Sequence, residues 1–336
     1  MMLKTADPVL EIRDLSVSVG TDEGEARILD NASLALMPGS IHGVVGESGC
    51  GKSTLLRAIL GILPKRGRAT SGKILLGERN LLDLPAETLQ TEVRGRAVGF
   101  IPQDPFQALN PVFRVGTQLL ETMRDHTDMG TTQKSKTEHI VSLLKAVQLP
   151  DAEHALDRYP HQFSGGQRQR LLIAASLASS PGIILADEPT TALDVTTQLQ
   201  ILKLLRGLAA ERGLSMLFVT HDFGVVAQLC DTVTVMYAGQ TVESGPVARV
   251  LKAPLHPYTQ MLLACHPERA AELAGIPGAV PSPLRPPSGC RFNPRCPSAR
   301  AICSAAHPPR TEPEAGHTVR CVLHAVEPRH DAIADP

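Results

Sequence analysis

Gly46-Glu47-Ser48-Gly49-Cys50-Gly51-Lys52-Ser53 is the stretch that decides how the rest of the chain is read. Just before it, Ile41 to Val45 form a short apolar run of the kind a buried parallel strand shows. Just after it, Leu55, Leu56, Ile59, Leu60 and Leu63 recur at helical spacing until Pro64 stops the pattern. Strand, glycine-rich turn and helix form the setting a Walker A loop requires. Backbone N–H groups from Gly46 to Gly51 can then curl around phosphate oxygens, and the helix N-terminus adds partial positive charge. In that arrangement Lys52 reaches the β- and γ-phosphates, Ser53 offers its hydroxyl to Mg²⁺, and Thr54 stands at the α-phosphate. An ordinary glycine turn before a helix does not need all eight positions. The stretch reads as a nucleotide site.

The bulk numbers narrow the rest. The chain has 336 residues, enough for one large or two modest domains with a sizeable core. A net charge of −1 provides no field to draw nucleic acid or anionic lipid, so no nucleic-acid partner is expected. Met1 to Glu11 lack the pattern of a signal peptide, and no apolar run approaches the ~18 residues of a membrane span. The expectation is a soluble, cytosolic protein whose link to any membrane runs through a partner.

Leu10 to Ile12, Leu15 to Val19 and Ala32 to Leu36 alternate as half-buried strands do, with a polar turn at Asp22-Glu23-Gly24-Glu25. Lys73 to Leu76 and Ala97 to Ile101 add two more strands. From Asp104 to Ser180 helical periodicity dominates, which reads as a helical insertion. Ile183 to Ala186, Met216 to Thr220 and Val233 to Tyr237 return to apolar strands, with a helix over Val195 to Ala210 between the first two. One phosphate loop is present, and no internal repeat.

In open parallel sheets, ligands bind at the carboxyl edge of the strands. Four predicted strands end in residues suited to phosphate chemistry. Ile41 to Val45 delivers the loop, Ala97 to Ile101 delivers Gln103, Ile183 to Ala186 delivers Asp187 and Glu188, and Met216 to Thr220 delivers His221. Singly, each has an ordinary explanation as a loop amide, a cap or a helix-start charge. Chance would not place all four on one edge. Asp187 follows four apolar residues and is placed to hold Mg²⁺ with Ser53 and Gln103. Glu188 is placed to orient or deprotonate the attacking water. Phe163-Ser164-Gly165-Gly166-Gln167 then opens another helix with a cap and two glycines, a second phosphate-binding helix end in one chain. One nucleotide rarely needs two, so a site shared between two chains is the economical reading.

With these residues in order, the sequence resembles the ATP-binding subunits of ABC transporters over roughly residues 9–260. Phe163 to Gln167 matches the family signature with Phe where Leu is commonest, Gln103 the Q-loop, Thr191 to Asp194 the D-loop, and His221 the switch histidine. The resemblance implies an α/β fold, a P-loop NTPase core of the ABC type. It has a mixed β-sheet, an inserted α-helical subdomain at about 104–180, and a small cysteine-containing extension over 261–336. It also implies a head-to-tail dimer with a second ABC ATPase subunit, each ATP lying between one Walker A loop and the other chain's Ser164, Gly165, Gly166 and Gln167, with Asp194 nearby. Membrane permease subunits would dock near the Q-loop and helical insertion.

Gln103-Asp104-Pro105, Ala108 to Pro111, His256-Pro257-Tyr258-Thr259 and Asn293 to Pro297 are similar to the oligopeptide/dipeptide importer branch. That branch pairs two different ATPases with two permeases and an extracytoplasmic binding protein. Nickel importers share the branch and are the alternative. A translation factor would carry two cassettes, and a DNA-repair ATPase a long insertion between Lys52 and Ser164. One departure stands out. Val19 occupies the position where the family stacks adenine on an aromatic, and nothing in the surrounding sequence replaces it.

Four of the seven cysteines close the chain, Cys290, Cys296, Cys303 and Cys321, spaced C-x5-C-x6-C-x17-C among arginines and prolines. A stretch this poor in apolar residues needs a staple. Disulfides are disfavoured in a reducing compartment, and zinc sites favour pairs about two to four residues apart. An iron–sulfur cluster accepts looser spacing. The similar tails of peptide-importer ATPases carry a [4Fe–4S] cluster, so the resemblance implies that cofactor, with zinc as the alternative. Its expected role is to order the tail for contact with the partner subunit.

Overall fold

The computed structural model describes residues 7–123, 132–265 and 275–325. The apolar runs found in the sequence become two sheets. The smaller is antiparallel, in the order β2-β1-β4-β5, from β1 (Leu10–Thr21), β2 (Gly24–Leu36), β4 (Gly67–Leu76) and β5 (Arg79–Asn80). β1 runs unbroken where the sequence suggests two short strands, with irregular register absorbing the non-alternating residues between Ile12 and Leu15.

The larger sheet carries the chemistry. Its parallel part has the order β9-β3-β8-β7-β6, from β3 (Ile41–Val45), β6 (Val98–Ile101), β7 (Ile183–Asp187), β8 (Ser215–Thr220) and β9 (Thr232–Tyr237). β3 and β7 are buried at every residue, as strands covered on both faces must be. His42 in β3 is one polar exception. It bridges Thr232 Oγ1 at 2.8 Å and Thr234 Oγ1 at 2.9 Å, and burial lowers its pKa to about 4. A neutral imidazole therefore pins β3 to β9.

Three strands of this larger sheet carry no clear signal in the sequence. β10 (Gln240–Pro246) returns antiparallel to β9, and a hairpin of β11 (Thr311–Glu314) and β12 (His317–Val319) from the tail pairs onto β10. The cysteine-bearing tail thus extends the main sheet. At this seam Glu243, 2 % exposed, accepts from His317 Nε2 at 2.8 Å and from the Leu255 and His256 N–H groups, both at 2.9 Å. Phe292, fully buried, packs its ring against Tyr237, Tyr258 and His256. The segment 104–180 holds helices and no strand among its described residues, and Leu119, Ile140, Leu143, Leu144 and Phe163 bury its inner face. No helix among the described residues is long and apolar enough to cross a membrane.

Candidate functional site

Helix Lys52–Ile59 starts at the end of β3, and the glycines of the turn have local reasons to be there. Gly49 (φ 79°) and Gly51 (φ 102°) adopt left-handed backbone, and a Cβ on Gly46 would run into the Met236 carbonyl oxygen. Inside the loop lies the Lys52 ammonium, 5 % exposed, donating to Gly46 O at 2.8 Å and Glu47 O at 3.3 Å and standing 3.6 Å from Glu188 Oε1. A cation this buried with only partial pairing is held ready for an anion.

The strand ends converge on it as their register requires. Gly46, Glu47, Ser48, Gly49, Gly51, Lys52, Ser53, Thr54, Gln103, Glu188 and His221 line one cavity of ≈690 Å³. Glu188 sits at φ 44°, a left-handed conformation uncommon for a non-glycine residue, which turns it off the β7 line. Its Oε2 lies 2.9 Å from His221 Nδ1 and accepts from Thr191 Oγ1 at 3.1 Å. Thr191, the first residue of the D-loop match, thus touches Glu188, a contact that the sequence alone does not signal. Cys50 is the loop member that turns away. It is 1 % exposed, and burial raises its thiol pKa.

Asp187 lies behind Ser53, whose hydroxyl donates to Asp187 Oδ1 at 3.0 Å. Burial raises the Asp187 pKa, and the Glu188 charge pushes the same way, against Ser53, Arg57 and Lys52. A site that makes its own carboxylate costly to ionise gains from a divalent cation. Oxygens from Ser53, Asp187 and Gln103 are the hard ligands Mg²⁺ prefers. The residues fit that ion.

The second helix end behaves differently. Ser164 caps helix Gly165–Leu177 in a reciprocal box, accepting from Gln167 N at 3.3 Å while its own N–H donates to Gln167 Oε1 at 3.0 Å. Gly166 faces Thr197, where a Cβ would meet Cγ2 at 2.6 Å. Asp194 caps the next helix, Val195–Arg212, accepting from Thr197 N at 3.0 Å and Thr197 Oγ1 at 2.7 Å. None of Ser164, Gly165, Gly166, Gln167 and Asp194 lines the cavity that Lys52 occupies.

These residues and their order agree with what similarity finds. The sequence profile of the ABC transporter family matches residues 29–191, and that of the oligopeptide/dipeptide transporter C-terminal region matches 242–303. The chain is 44% identical over 306 residues to the oligopeptide transport ATP-binding protein OppD of Salmonella typhimurium, covering 90% of each chain. This chain belongs to the ABC-transporter ATP-binding family, in its oligopeptide/dipeptide importer branch. The dipeptide transport ATP-binding protein DppD of Bacillus subtilis is 40% identical over 332 residues, covering 98% of each. Among solved structures, the ATP-binding cassette MJ0796, a dimer bound to ADP and Pi, superposes with a TM-score of 0.63 at 27% identity. It covers 71% of this chain and 98% of its own.

Two features of this ABC cassette lie away from the phosphate loop. Val19, where the resemblance places the base, is half-buried in β1, opposite Ala26 and Gly67. Ile28, from β2, and Leu262, from helix Pro257–Ala264, supply the apolar lining of the cavity. Neither is aromatic, and neither carries a local sequence signal, because both reach the loop only through the folded sheet. The second concerns the tail. Its four cysteines are free thiols, and no group of three or more His, Cys, Asp or Glu among the described residues is arranged to hold a metal ion. The four are nevertheless close enough to act on one another. Burial raises the Cys290 pKa to about 11, and Cys321, Cys303 and Cys296 push in the same direction.

Proposed function

We infer that this chain is the ATP-hydrolysing subunit of an ABC importer for di- and oligopeptides, peripheral to the cytoplasmic face of the membrane. One observation carries the reading: Lys52, Ser53, Gln103, Glu188 and His221 share a cavity from which the chain's own Ser164 to Gln167 are excluded. In the proposed assembly a second ATPase subunit brings its signature to this cavity, and this chain's signature completes the partner's. Lys52 and the loop N–H groups bind the phosphates, Ser53, Gln103 and Asp187 hold Mg²⁺, and Glu188 orients the water with His221 as its support. The ion, when bound, neutralises charge on the β- and γ-phosphates.

Phe106, Val112 and Phe113, each more than half exposed, follow Gln103 on one short segment. Arg168 of the signature helix lays its guanidinium over the Phe106 ring at 4.4 Å. This supports docking of the two permease subunits here, with the extracytoplasmic binding protein acting through them. The isolated chain should bind Mg·ATP yet hydrolyse it slowly, and co-assembly with the partner ATPase and permeases should raise turnover at least about tenfold. Full-rate turnover by a demonstrated monomer would overturn the shared site.

Without an aromatic at the base, ATP and GTP should bind within about tenfold of each other, the worth of a lost stack. Competition titration checks this, and strong rejection of GTP would mean that a polar group reads the base.

For the tail, we propose that Cys290, Cys296, Cys303 and Cys321 hold a [4Fe–4S] cluster. Support comes from the donor set: four uncrosslinked thiols within mutual electrostatic reach. Backbone N–H groups of Phe292, Ser298 and Leu323 favour the thiolates of Cys290, Cys296 and Cys321, and the Arg300 N–H donates to Cys303 Sγ at 3.4 Å. A cluster spreads its ligands more widely than one ion does, so it does not require the tight group the tail lacks. Anaerobically purified protein should be brown, with about four irons per chain, and Cys296→Ser should lose the colour. One stoichiometric zinc in a colourless preparation would reverse the assignment.

A further inference from the structure

The contact between the tail and the phosphate loop is more specific than a packing surface. Arg295, whose side chain is 5 % exposed, engages all five of its N–H donors. Nε donates to Pro277 O at 2.9 Å. Nη1 donates to Glu47 Oε2 at 3.0 Å and to Tyr237 Oη at 3.1 Å, and Nη2 to Glu47 Oε1 at 3.3 Å and to Ile276 O at 3.0 Å. Glu47 is the second residue of the phosphate loop and lines the cavity. Its backbone is held as well: the N–H donates to Tyr258 Oη at 3.0 Å, and the carbonyl accepts from Lys52 Nζ at 3.3 Å. One loop residue is thereby fixed from three sides, by Lys52, by helix Pro257–Ala264 and by the tail.

The charge arrangement calls for such a device. Glu47 puts a carboxylate on the wall of a cavity meant for a polyphosphate, where two like charges a few ångströms apart repel by several kcal/mol in a medium of ε about 20. A bidentate guanidinium neutralises that carboxylate and fixes its direction, which a flexible lysine would do less well. Arg291, four residues earlier, anchors the same segment. It is 2 % exposed and stands 3.1 Å from Asp30 Oδ2, with Nη1 donating to the Ala238 carbonyl.

We propose that the cysteine-bearing tail is an integral part of the nucleotide site, with Arg295 as the residue that positions the phosphate loop through Glu47. Nucleotide binding and ordering of the segment 290–296 then favour each other, since coupling between two equilibria is reciprocal. This rests on the cavity being the nucleotide site. It gives the tail a role beside the expected one of contact with the partner subunit.

The test uses the full-length chain and Mg·ATPγS. Arg295→Met should raise the Kd about tenfold, the loss expected when a charge-assisted pair is broken. Placed on a Glu47→Gln background, the same substitution should add little, because both act through one interaction. Mg·ATPγS should slow amide exchange over 290–296 in the wild type and not in Arg295→Met. A wild-type Kd in Arg295→Met, or fully additive losses in the double variant, would overturn the proposal. Should Arg295→Met fail to fold, the exchange measurement on the wild type decides alone, and absence of nucleotide-dependent protection over 290–296 overturns it. Failure of the wild type to bind Mg·ATPγS would instead strike the nucleotide-site reading itself.

Discussion

Glu188→Gln should lower ATP turnover by about 10²–10⁴-fold, the usual worth of a positioned general base, while Mg·ATP still binds. The carboxylate is at the end of β7, with Oε2 2.9 Å from His221 Nδ1 and 3.1 Å from the Thr191 hydroxyl. Its other oxygen stands 3.6 Å from Lys52 Nζ. Gln keeps the size and the hydrogen-bonding oxygen but can neither accept a proton nor balance the lysine. The variant should therefore hold ATP unhydrolysed and trap the closed dimer. Phosphate release and nucleotide retention, measured on the assembled transporter, separate the two effects. Turnover within about threefold of wild type would remove Glu188 from the chemistry and leave His221 without its proposed role.

Lys52→Ala should abolish measurable nucleotide binding, a loss of about 10²-fold or more in affinity, because a buried charge–phosphate contact is worth more than a neutral hydrogen bond. The Lys52 ammonium is 5 % exposed and is met within the chain by two loop carbonyls and the Glu188 carboxylate 3.6 Å away. That is a costly way to bury a charge, so removing it should not harm the empty protein. Lys52→Ala should melt at or slightly above the wild type in the absence of nucleotide and lose the thermal shift Mg·ATP confers. A variant that still shifts with Mg·ATP would mean the loop N–H groups hold the phosphates unaided.

By itself the sequence determined the strand-loop-helix at Gly46 to Ser53, the parallel strands that end in Gln103, Asp187 and His221, and the helical segment between them. Those features are local. An apolar run flanked by glycines folds as a strand and turn because backbone conformation and burial are settled within a few residues, and strand ends in a parallel sheet must share an edge. The cap at Ser164 was legible for the same reason, since its box spans four neighbouring positions. What only the tertiary structure decided involves residues far apart in the chain. That Ile28 and Leu262 line the cavity depends on how β2 and helix Pro257–Ala264 pack against the loop, which no local pattern in either stretch records. β10, β11 and β12 form because an edge strand is available to pair with, while β10 and β11 carry Pro and Glu that disfavour strands in isolation and β12 is only three residues long. The grip of Arg295 on Glu47 spans 248 residues. An arginine in a polar tail looks like a solvated charge until the folded chain lays it against a carboxylate, and long-range pairing of that kind leaves no periodicity to read.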